Sequence, residues 1–373
     1  MKLKCAVIGL GLLGSQHAER LMQYENTRLV AVCDIKREKA EAWGKLHGVE
    51  SFSSVEEMFT KLEIDLAVVA TQDPYHKAPV IAACKAGVRY IICEKPLATT
   101  VEDAMEIAEA AGASGSQIKV LFPNRFYPLD IAVRILLKNG ILGKPLYGEM
   151  RMDDSISVPI GLWGKDSKAF SRLSSPAHFL LSHAVDLLRF YFEPREIVKV
   201  YAISKQSLIG SEVDYVDAYL TFSDGMTIRL KSEWTKHMEP LVENYVQLTA
   251  EKGGLVYNKV PGFAMQGGLR FDFPENAGDA GKIAALLKEH GIESSSQEYK
   301  GNNGFGIELY QQGGNTFDWN HGICLYADSF LGAEYPDSPL TSLEGGVRQV
   351  MVVDAILRSA RTGSEISIRY DRE

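Results

Sequence analysis

Three glycines near the start of the chain, Gly9, Gly11 and Gly14, are spaced as G-x-G-x-x-G and constrain the fold more than any other feature. The motif follows an apolar run at 4–9 that predicts a strand, and it precedes a helical pattern at 15–23. Glycines in this context allow a tight turn and let a pyrophosphate approach backbone N–H groups at a helix N-terminus. The motif therefore predicts a doubly wound domain that binds a dinucleotide.

The rest of the first third alternates short β-branched runs with patterns of helical spacing, which is typical of parallel βαβ units. The further predicted strands are 29–34, 66–70, 90–94 and 119–122. The helices predicted between them are 36–46, 55–62, 78–86 and 101–110. We therefore predict an N-terminal Rossmann domain with a doubly wound parallel sheet over residues 1–122.

Residues 123–373 predict a second domain of α+β type, because strands follow one another there without intervening helices. The predicted strands are 146–152, 197–204, 215–222, 226–234, 245–250 and 366–370. The predicted helices are 129–139, 176–192 and 346–362. We expect these strands to form a large, mostly antiparallel sheet. Residues 262–322, rich in Gly and Asn, are predicted to form a long irregular excursion with one helix at 279–290.

Composition excludes several classes of protein. Forty Lys and Arg against 48 Asp and Glu give a formal net charge of −8, which disfavours a nucleic-acid partner. No apolar run approaches the roughly 18 residues that span a bilayer, so no membrane partner is predicted. Residues 1–13 imitate a secretory signal but lack a small-x-small cleavage site. The five cysteines are an odd number without zinc-site spacing, so we expect reduced thiols, no metal and a cytoplasmic location.

The acidic residue after the second predicted strand bears on the choice of cofactor. Asp34 lies twenty residues after Gly14, where a carboxylate accepts hydrogen bonds from a ribose diol and repels a 2′-phosphate. This position favours NAD. Lys36 and Arg37 follow directly, and two cations beside the ribose could tolerate NADP, so NADP stays open.

A lysine is predicted at the ligand-binding end of the sheet. Lys95 stands between Glu94 and Pro96 at the C-terminal end of the predicted strand 90–94, the side on which open α/β sheets bind ligands. Its ammonium group can hydrogen-bond a substrate hydroxyl and stabilise developing negative charge. By itself the tripeptide is weak, because a surface lysine is the common alternative.

Seven motifs along the chain resemble those of one family. They are Gly9-x-Gly11-x-x-Gly14 with His17, Thr71-x-x-Pro74-x-His76, Glu94-Lys95-Pro96-Leu97, Asn124-Arg125-Phe126, Gly140-x-x-Gly143-Lys144-Pro145, His183-x-x-Asp186 and Asp354-Ala355-Ile356-x-x-Ser359. Together they resemble the Gfo/Idh/MocA oxidoreductases over nearly the whole chain. The resemblance implies a Rossmann domain followed by a domain for substrate binding and oligomerisation. It also implies NAD or NADP as cofactor, a sugar or polyol as substrate, and a homodimer or homotetramer formed through the C-terminal sheet.

The resemblance also implies roles for individual residues. Lys95 matches the family's catalytic lysine, and His183 matches its general acid/base histidine, a role that suits an imidazole. The predicted cofactor-binding residues are Gly9, Gly11, Leu12, Leu13, Gly14, Asp34, Ile35, Arg37, Thr71, Pro74, His76, Glu94, Lys95 and Pro96. The predicted substrate-binding residues are Lys95, Asn124, Arg125, Tyr127, Trp163, Lys165, Arg172, His178 and His183. Asp166 is a further candidate in the same loop.

One position departs from the family pattern. Many catalytic members carry an aspartate four residues before the histidine, on the same helical face, and this chain has Phe179 there. Three replacements stay open: Asp186 one turn later, Lys95 acting largely alone, or His178 from the first turn of the helix. For Asp186 we favour a structural role. His178 lies about 140° around the helix from His183 and so cannot simply take the place of the acid, and its position near a helix N-terminus disfavours its protonated form.

These observations predict an NAD(P)-dependent oxidoreductase acting on a sugar, cyclic polyol or glycoside. Lys95 is expected to stabilise the reacting oxygen, and His183 to accept or return the proton. Two alternatives remain: a glycosidase or epimerase-like enzyme that recycles a tightly bound NAD, and a non-catalytic sensor of dinucleotide and sugar.

Overall fold

The computed structural model describes residues 2–162, 170–211, 213–260, 267–299, 304–310 and 315–370. The chain folds into two compact units. The first contains Met1–Pro123 and Asp318–Met351, and the second contains Asn124–Phe317 and Val352–Glu373. The predicted domains, 1–122 and 123–373, stay a prediction, and residues 318–351 group with the first unit in the structure.

Sixteen strands lie in the described residues. They are β1 Leu3–Ile8, β2 Thr27–Cys33, β3 Glu50–Phe52, β4 Leu66–Val69, β5 Tyr90–Glu94, β6 Gln117–Leu121, β7 Pro145–Asp154, β8 Ile197–Lys205, β9 Tyr215–Phe222, β10 Thr227–Glu233, β11 Val242–Ala250, β12 Gly253–Val260, β13 Gly268–Pro274, β14 Ser295–Glu298, β15 Gly304–Leu309 and β16 Ile366–Ser367.

Eleven α-helices lie in the same residues. They are α1 Leu12–Gln23, α2 Arg37–His47, α3 Val55–Lys61, α4 Lys77–Lys85, α5 Val101–Ser114, α6 Pro128–Lys138, α7 Pro176–Phe179, α8 Leu181–Phe192, α9 Ala280–Glu289, α10 Gly322–Ser329 and α11 Leu343–Thr362.

The first unit is built on a six-stranded parallel sheet in the order β3-β2-β1-β4-β5-β6. This order is that of a Rossmann fold and confirms the predicted doubly wound sheet. β3, a three-residue edge strand with one buried side chain, was not predicted, because it has no apolar run. β4 and β5 are buried along their whole length, as strands covered on both faces must be.

Residues 318–351 are tied to the first unit by specific contacts. The Phe122 backbone N–H donates to the Tyr326 hydroxyl at 3.0 Å, and the Val120 N–H donates to the Thr341 carbonyl at 3.0 Å. Val347 and Val350 lie in the unit's apolar core. The sequence does not predict that residues 318–351 belong to the first unit, because a local pattern does not show which core a helix packs against.

The second unit is built on a ten-stranded sheet in the order β14-β15-β13-β12-β11-β7-β10-β9-β8-β16. Only the pair of β7 and β10 is parallel among its described pairings, which confirms the predicted large, mostly antiparallel sheet. α8 packs against α6 and against β7 and β10, so one face of the sheet is covered by helices.

Two predictions for the second unit are wrong. The interval 262–322 is not an irregular excursion, because β13, β14 and β15 extend the sheet there beside the predicted helix, α9. Glycines weakened the strand pattern, yet Gly304 and Gly306 lie where a Cβ atom would come within 3 Å of a neighbouring atom. The predicted continuous helix 176–192 is interrupted at Leu180, which separates α7 from α8. No helix in the described part of the chain is long and apolar enough to cross a membrane.

Candidate functional site

The glycine turn of the first unit has the geometry that its spacing predicts. Gly9 has φ of 90°, and a Cβ there would lie 2.6 Å from the Ala70 carbonyl oxygen, beside the end of β4. A Cβ on Gly14 would lie 1.8 Å from the Gly9 carbonyl oxygen, so only glycine lets α1 pack this closely on the turn. A Cβ on Gly11 would meet nothing within 4 Å. The first and third glycines therefore allow packing, and the second faces open space.

The N-terminus of α1 is suited to an anion. Gly11 is its N-cap, no side chain caps the helix, and its first turn carries no acidic residue. The first N–H groups of a helix have no partner within the helix and carry partial positive charge. Leu12 is half exposed in this first turn. The space above Gly11 and these N–H groups fit a pyrophosphate.

Asp34 follows β2 and is held beside the glycine turn. Its carboxylate accepts the Leu10 N–H at 2.8 Å and the Lys36 N–H at 2.9 Å, one on each oxygen. A carboxylate oxygen has a second lone pair, so both oxygens keep acceptor capacity for a ribose diol. Ile35, 91% exposed, and Arg37, also exposed, lie just beyond.

The loops after β4 and β5 are linked by a buried histidine. His76 Nδ1 lies 2.6 Å from the Pro96 carbonyl oxygen, and its Nε2 lies 3.1 Å from the Thr71 carbonyl oxygen. Pro74 lies in the short 3₁₀ turn between them. The Thr71 hydroxyl oxygen is buried with no hydrogen-bond partner among the described residues. An unsatisfied hydroxyl in this loop fits a missing polar ligand.

A buried hydrogen bond between Glu94 and His17 holds the chain beside Lys95. Glu94 Oε1 lies 2.7 Å from His17 Nε2, and Glu94 Oε2 accepts the Lys95 N–H at 3.1 Å. Burial opposes the charged form of Glu94. The hydrogen bond from His17 and the charges of His17 and Lys95 outweigh burial, so the pKa of the carboxyl lies below its ordinary value. Lys95 itself is buried at the end of β5, where the sequence places it.

In the second unit, His183 lies in the first turn of α8 against an amide. The Nδ2 of Asn124, which precedes α6, lies 3.3 Å from His183 Nδ1. The Oδ1 of Asn124 accepts a hydrogen bond from Lys259 Nζ at 3.0 Å. Two predicted site residues, 59 positions apart in the sequence, are therefore brought together.

Lys259 is a buried lysine that sequence analysis missed. Its Nζ donates to Asp130 Oδ2 at 2.7 Å and lies 4.0 Å from the centre of the Tyr127 ring. Burial lowers the pKa of Lys259, and the charge and hydrogen bond of Asp130 oppose that shift. Asp130, fully buried, also accepts from the hydroxyls of Tyr191 and Tyr257.

The sequence does carry a signal for this lysine. Leu255, Tyr257 and Lys259 alternate along β12 and all three are buried, so the lysine occupies an inward position of the strand. A charge in an inward register is rare unless it is paired. This signal can be recognised only when β12 is known to be a strand, and the glycines at its start prevented that prediction.

Arg125 is engaged by an acid rather than lying open. Its Nε donates to Asp186 Oδ2 at 2.8 Å and its Nη2 donates to Asp186 Oδ1 at 2.7 Å. Both side chains are buried, and the guanidinium lies 5.3 Å from the centre of the Phe190 ring. Asp186 is thus part of a two-point ion pair that joins α8 to the chain before α6.

Phe179, at the position of the family aspartate, lies among aromatic rings. Its ring centre is 5.6 Å from that of Phe170 and 6.0 Å from that of Trp234. His178 is buried in α7, and Arg172 is exposed. Trp163, Lys165 and Asp166 lie outside the described residues, so their predicted substrate contacts stay predictions.

Comparisons with known proteins agree with this fold. Residues 3–122 match the family model described as "Oxidoreductase family, NAD-binding Rossmann fold", and residues 131–256 match the one described as "GFO/IDH/MocA C-terminal domain". An inositol 2-dehydrogenase of Salmonella paratyphi B is 25% identical over 233 residues, a stretch covering 61% of this chain and 66% of that protein. The chain thus spans slightly less than two thirds of that relative's length.

Two further similarities extend over more of the chain. An inositol 2-dehydrogenase of Mycolicibacterium smegmatis is 28% identical over 322 residues, covering 80% of this chain and 87% of that protein. Among solved structures, a levoglucosan dehydrogenase in complex with NADH and levoglucosan superposes with a TM-score of 0.76 at 18% identity, covering 100% of both chains. The matched models and the shared fold show that the chain belongs to the Gfo/Idh/MocA family of oxidoreductases, with an NAD-binding Rossmann domain at its N-terminus.

Proposed function

We propose that the protein is an NAD-dependent dehydrogenase that acts on a hydroxyl or carbonyl group of a sugar or cyclic polyol. The observation that carries the proposal is the first unit's glycine turn, with open space at Gly11 and with Asp34 held beside it. The substrate class rests on the relatives, which are named for inositol and levoglucosan.

The residues that would hold the cofactor lie on three loops of the first unit. The N–H groups that follow Gly11 would bind the pyrophosphate, and Asp34 would accept the ribose hydroxyls. The Thr71 hydroxyl, without a partner among the described residues, would find one in the cofactor. When bound, the nicotinamide supplies or takes up the hydride.

Two residues of the chain would act on the reacting oxygen. Lys95 would place an ammonium group against it and stabilise its negative charge, while Glu94 and His17 hold the backbone at this point. His183 would give or take a hydrogen bond at the same oxygen through its imidazole. Which of these it does depends on its tautomer, because a neutral imidazole donates from one nitrogen only.

The test uses purified protein, NAD or NADP, and a panel of inositols, aldoses, amino sugars and glycosides. We expect absorbance of reduced nicotinamide to appear with one group of substrates, with NAD preferred. Lys95→Ala should lower the rate at which that signal appears by about 10³-fold, while calorimetry still shows cofactor binding. Silence of the wild-type protein across the panel, with NAD binding intact, would contradict the proposal and favour internal recycling of NAD or a sensor.

The outer face of the second unit's sheet supports a proposal about assembly. Tyr201, Tyr219, Arg229 and Glu149 stand in register across β8, β9, β10 and β7. Tyr201 and Tyr219 are about half exposed there. We propose that this face joins copies of the chain into a homodimer or homotetramer in the cytoplasm, which light scattering on purified protein would test.

A further inference from the structure

His183 lies at one end of a hydrogen-bonded chain of three side chains, and the buried lysine at the other end fixes which group donates in each contact. Lys259 contacts Asn124, and Asn124 contacts His183. The three residues come from β12, from the segment before α6, and from α8. None of these contacts depends on the family aspartate that Phe179 replaces.

The buried end of the chain is a lysine whose ammonium group has three partners. An ammonium group has three N–H donors and no acceptor. Lys259 gives one N–H to Asp130 and one to Asn124, and it lies over the face of the Tyr127 ring. Asp130 is in turn held by Tyr191 and Tyr257.

This lysine decides which way the Asn124 amide points. Because an ammonium group only donates, the Asn124 oxygen must face Lys259, and a reversed amide would set N–H groups against N–H groups. The Asn124 NH₂ group is then the part that faces His183. Its N–H can only donate, so His183 Nδ1 must accept.

We propose that Lys259, acting through the Asn124 amide, holds His183 in the tautomer that carries its hydrogen on Nε2. Lys259 and Asn124 are thus positioning residues, and they do the orienting that Phe179 cannot do. The consequence for the reaction rests on the proposed function: His183 donates a hydrogen bond from Nε2 to the reacting oxygen and does not take the proton of a hydroxyl.

The proton balance follows from this tautomer. In carbonyl reduction the Lys95 ammonium would give its proton to the oxygen, His183 would stabilise that oxygen by donating a hydrogen bond, and bound NADH would supply the hydride to the carbon. In hydroxyl oxidation the proton passes to the Lys95 amine.

Asn124→Asp is the most direct variant, because a carboxylate only accepts. It should pair with Lys259, draw the imidazole hydrogen to Nδ1, and make Nε2 the ring nitrogen that can accept the proton of a hydroxyl. We expect hydroxyl oxidation to gain on carbonyl reduction by about tenfold in kcat. Lys259→Met removes the ammonium and should give a mixture of tautomers. Lys231→Met is the matched control, since Lys231 pairs with Asp153 in the same unit.

The tautomer is read by long-range proton–nitrogen NMR on the full chain labelled with ¹⁵N-histidine. His183→Gln assigns the signal among the eight histidines. At a pH well above the ordinary histidine pKa, we expect the Nε2–H pattern in wild type and Lys231→Met and the Nδ1–H pattern in Asn124→Asp. An Nδ1–H pattern in wild type, or no change in Asn124→Asp, would overturn the proposal. If the NMR result holds and no substrate is turned over, the proposed function fails and the tautomer assignment stands.

Discussion

The two units hold their chemically important side chains in different ways. The first unit arranges its groups on short loops at the ends of neighbouring parallel strands, with acceptor capacity at Asp34, an uncapped helix N-terminus at α1 and open space at Gly11. The second unit gathers Asn124, His183 and Lys259 from distant segments and joins them to one another. The first arrangement suits the capture of a cofactor with a fixed shape. The second suits the control of one proton.

The largest expected effect comes from removing the buried acid of the second unit, Asp130, which should destabilise that unit and leave the first unit unchanged. Asp130→Ala leaves the Lys259 charge buried without its counter-ion, so we expect the second unit to lose about 3 kcal/mol of stability. Hydrogen exchange measured by mass spectrometry should show faster exchange in α6 and β12, with β1 and β4 unchanged. Glu193→Ala, which removes a largely exposed partner of Arg134, is the control and should cost less than about 1 kcal/mol. Equal exchange changes in both units would contradict the expectation that Asp130 stabilises the second unit alone.

The buried pair of the first unit should respond to pH. Because the pKa of Glu94 is lowered in the folded protein, its contribution to stability is complete above the ordinary value of 4.5 and is lost as pH falls through the lower folded value. Glu94→Gln should cost about 2 kcal/mol at neutral pH, since the hydrogen bond to His17 loses its charge.

The difference between wild type and Glu94→Gln should shrink below pH 4.5, as measured by exchange of peptides from β1 and β5. Glu63→Gln is the control, because Glu63 pairs with Lys4 at the surface and is 94% exposed. A constant difference across this pH range would mean that the charge of Glu94 does not contribute.

The smallest effect concerns cofactor choice in the first unit. Asp34→Ser removes the carboxylate that repels a 2′-phosphate, while Lys36 and Arg37 remain nearby. We expect the ratio of kcat/KM for NADP to that for NAD to rise by about tenfold, or about 1.4 kcal/mol. Lys39→Ala, at an exposed position of α2, should leave the ratio unchanged. An unchanged ratio in Asp34→Ser would remove Asp34 from the ribose site.

The same contrast explains what the sequence predicts. Gly9, Gly11, Gly14, Asp34 and Lys95 are recognisable because their geometry is set by a turn or a strand end only a few residues long. The partnership of Asn124 with Lys259 depends on the register of β12 and on the packing of α6, which no local pattern contains. Phe179 could be predicted only in part. Its position in the sequence shows that an acid is missing, but its packing against Phe170 and Trp234 is visible only in the structure.

The prediction for β13, β14 and β15 in the second unit was wrong for a related reason. β13 begins with a glycine, β15 carries Gly304 and Gly306, and β14 has four exposed residues, so each resembles a loop when taken alone. Their pairing supplies the missing information, since Leu269 to Pro274 match Leu309 to Gly304 in register. Helix α10 shows the same limit, because it packs with the first unit although it follows the second in sequence.

The proposed function rests on Lys95 and His183 acting in one chemical step. The most direct measurement is a double-mutant cycle on kcat with the best substrate of the panel, using Lys95→Ala, His183→Gln and the double variant. We expect Lys95→Ala to lose about 10³-fold, His183→Gln about 10²-fold, and the double variant little more than Lys95→Ala alone. Losses that multiply in the double variant, or single variants with wild-type turnover, would contradict the claim.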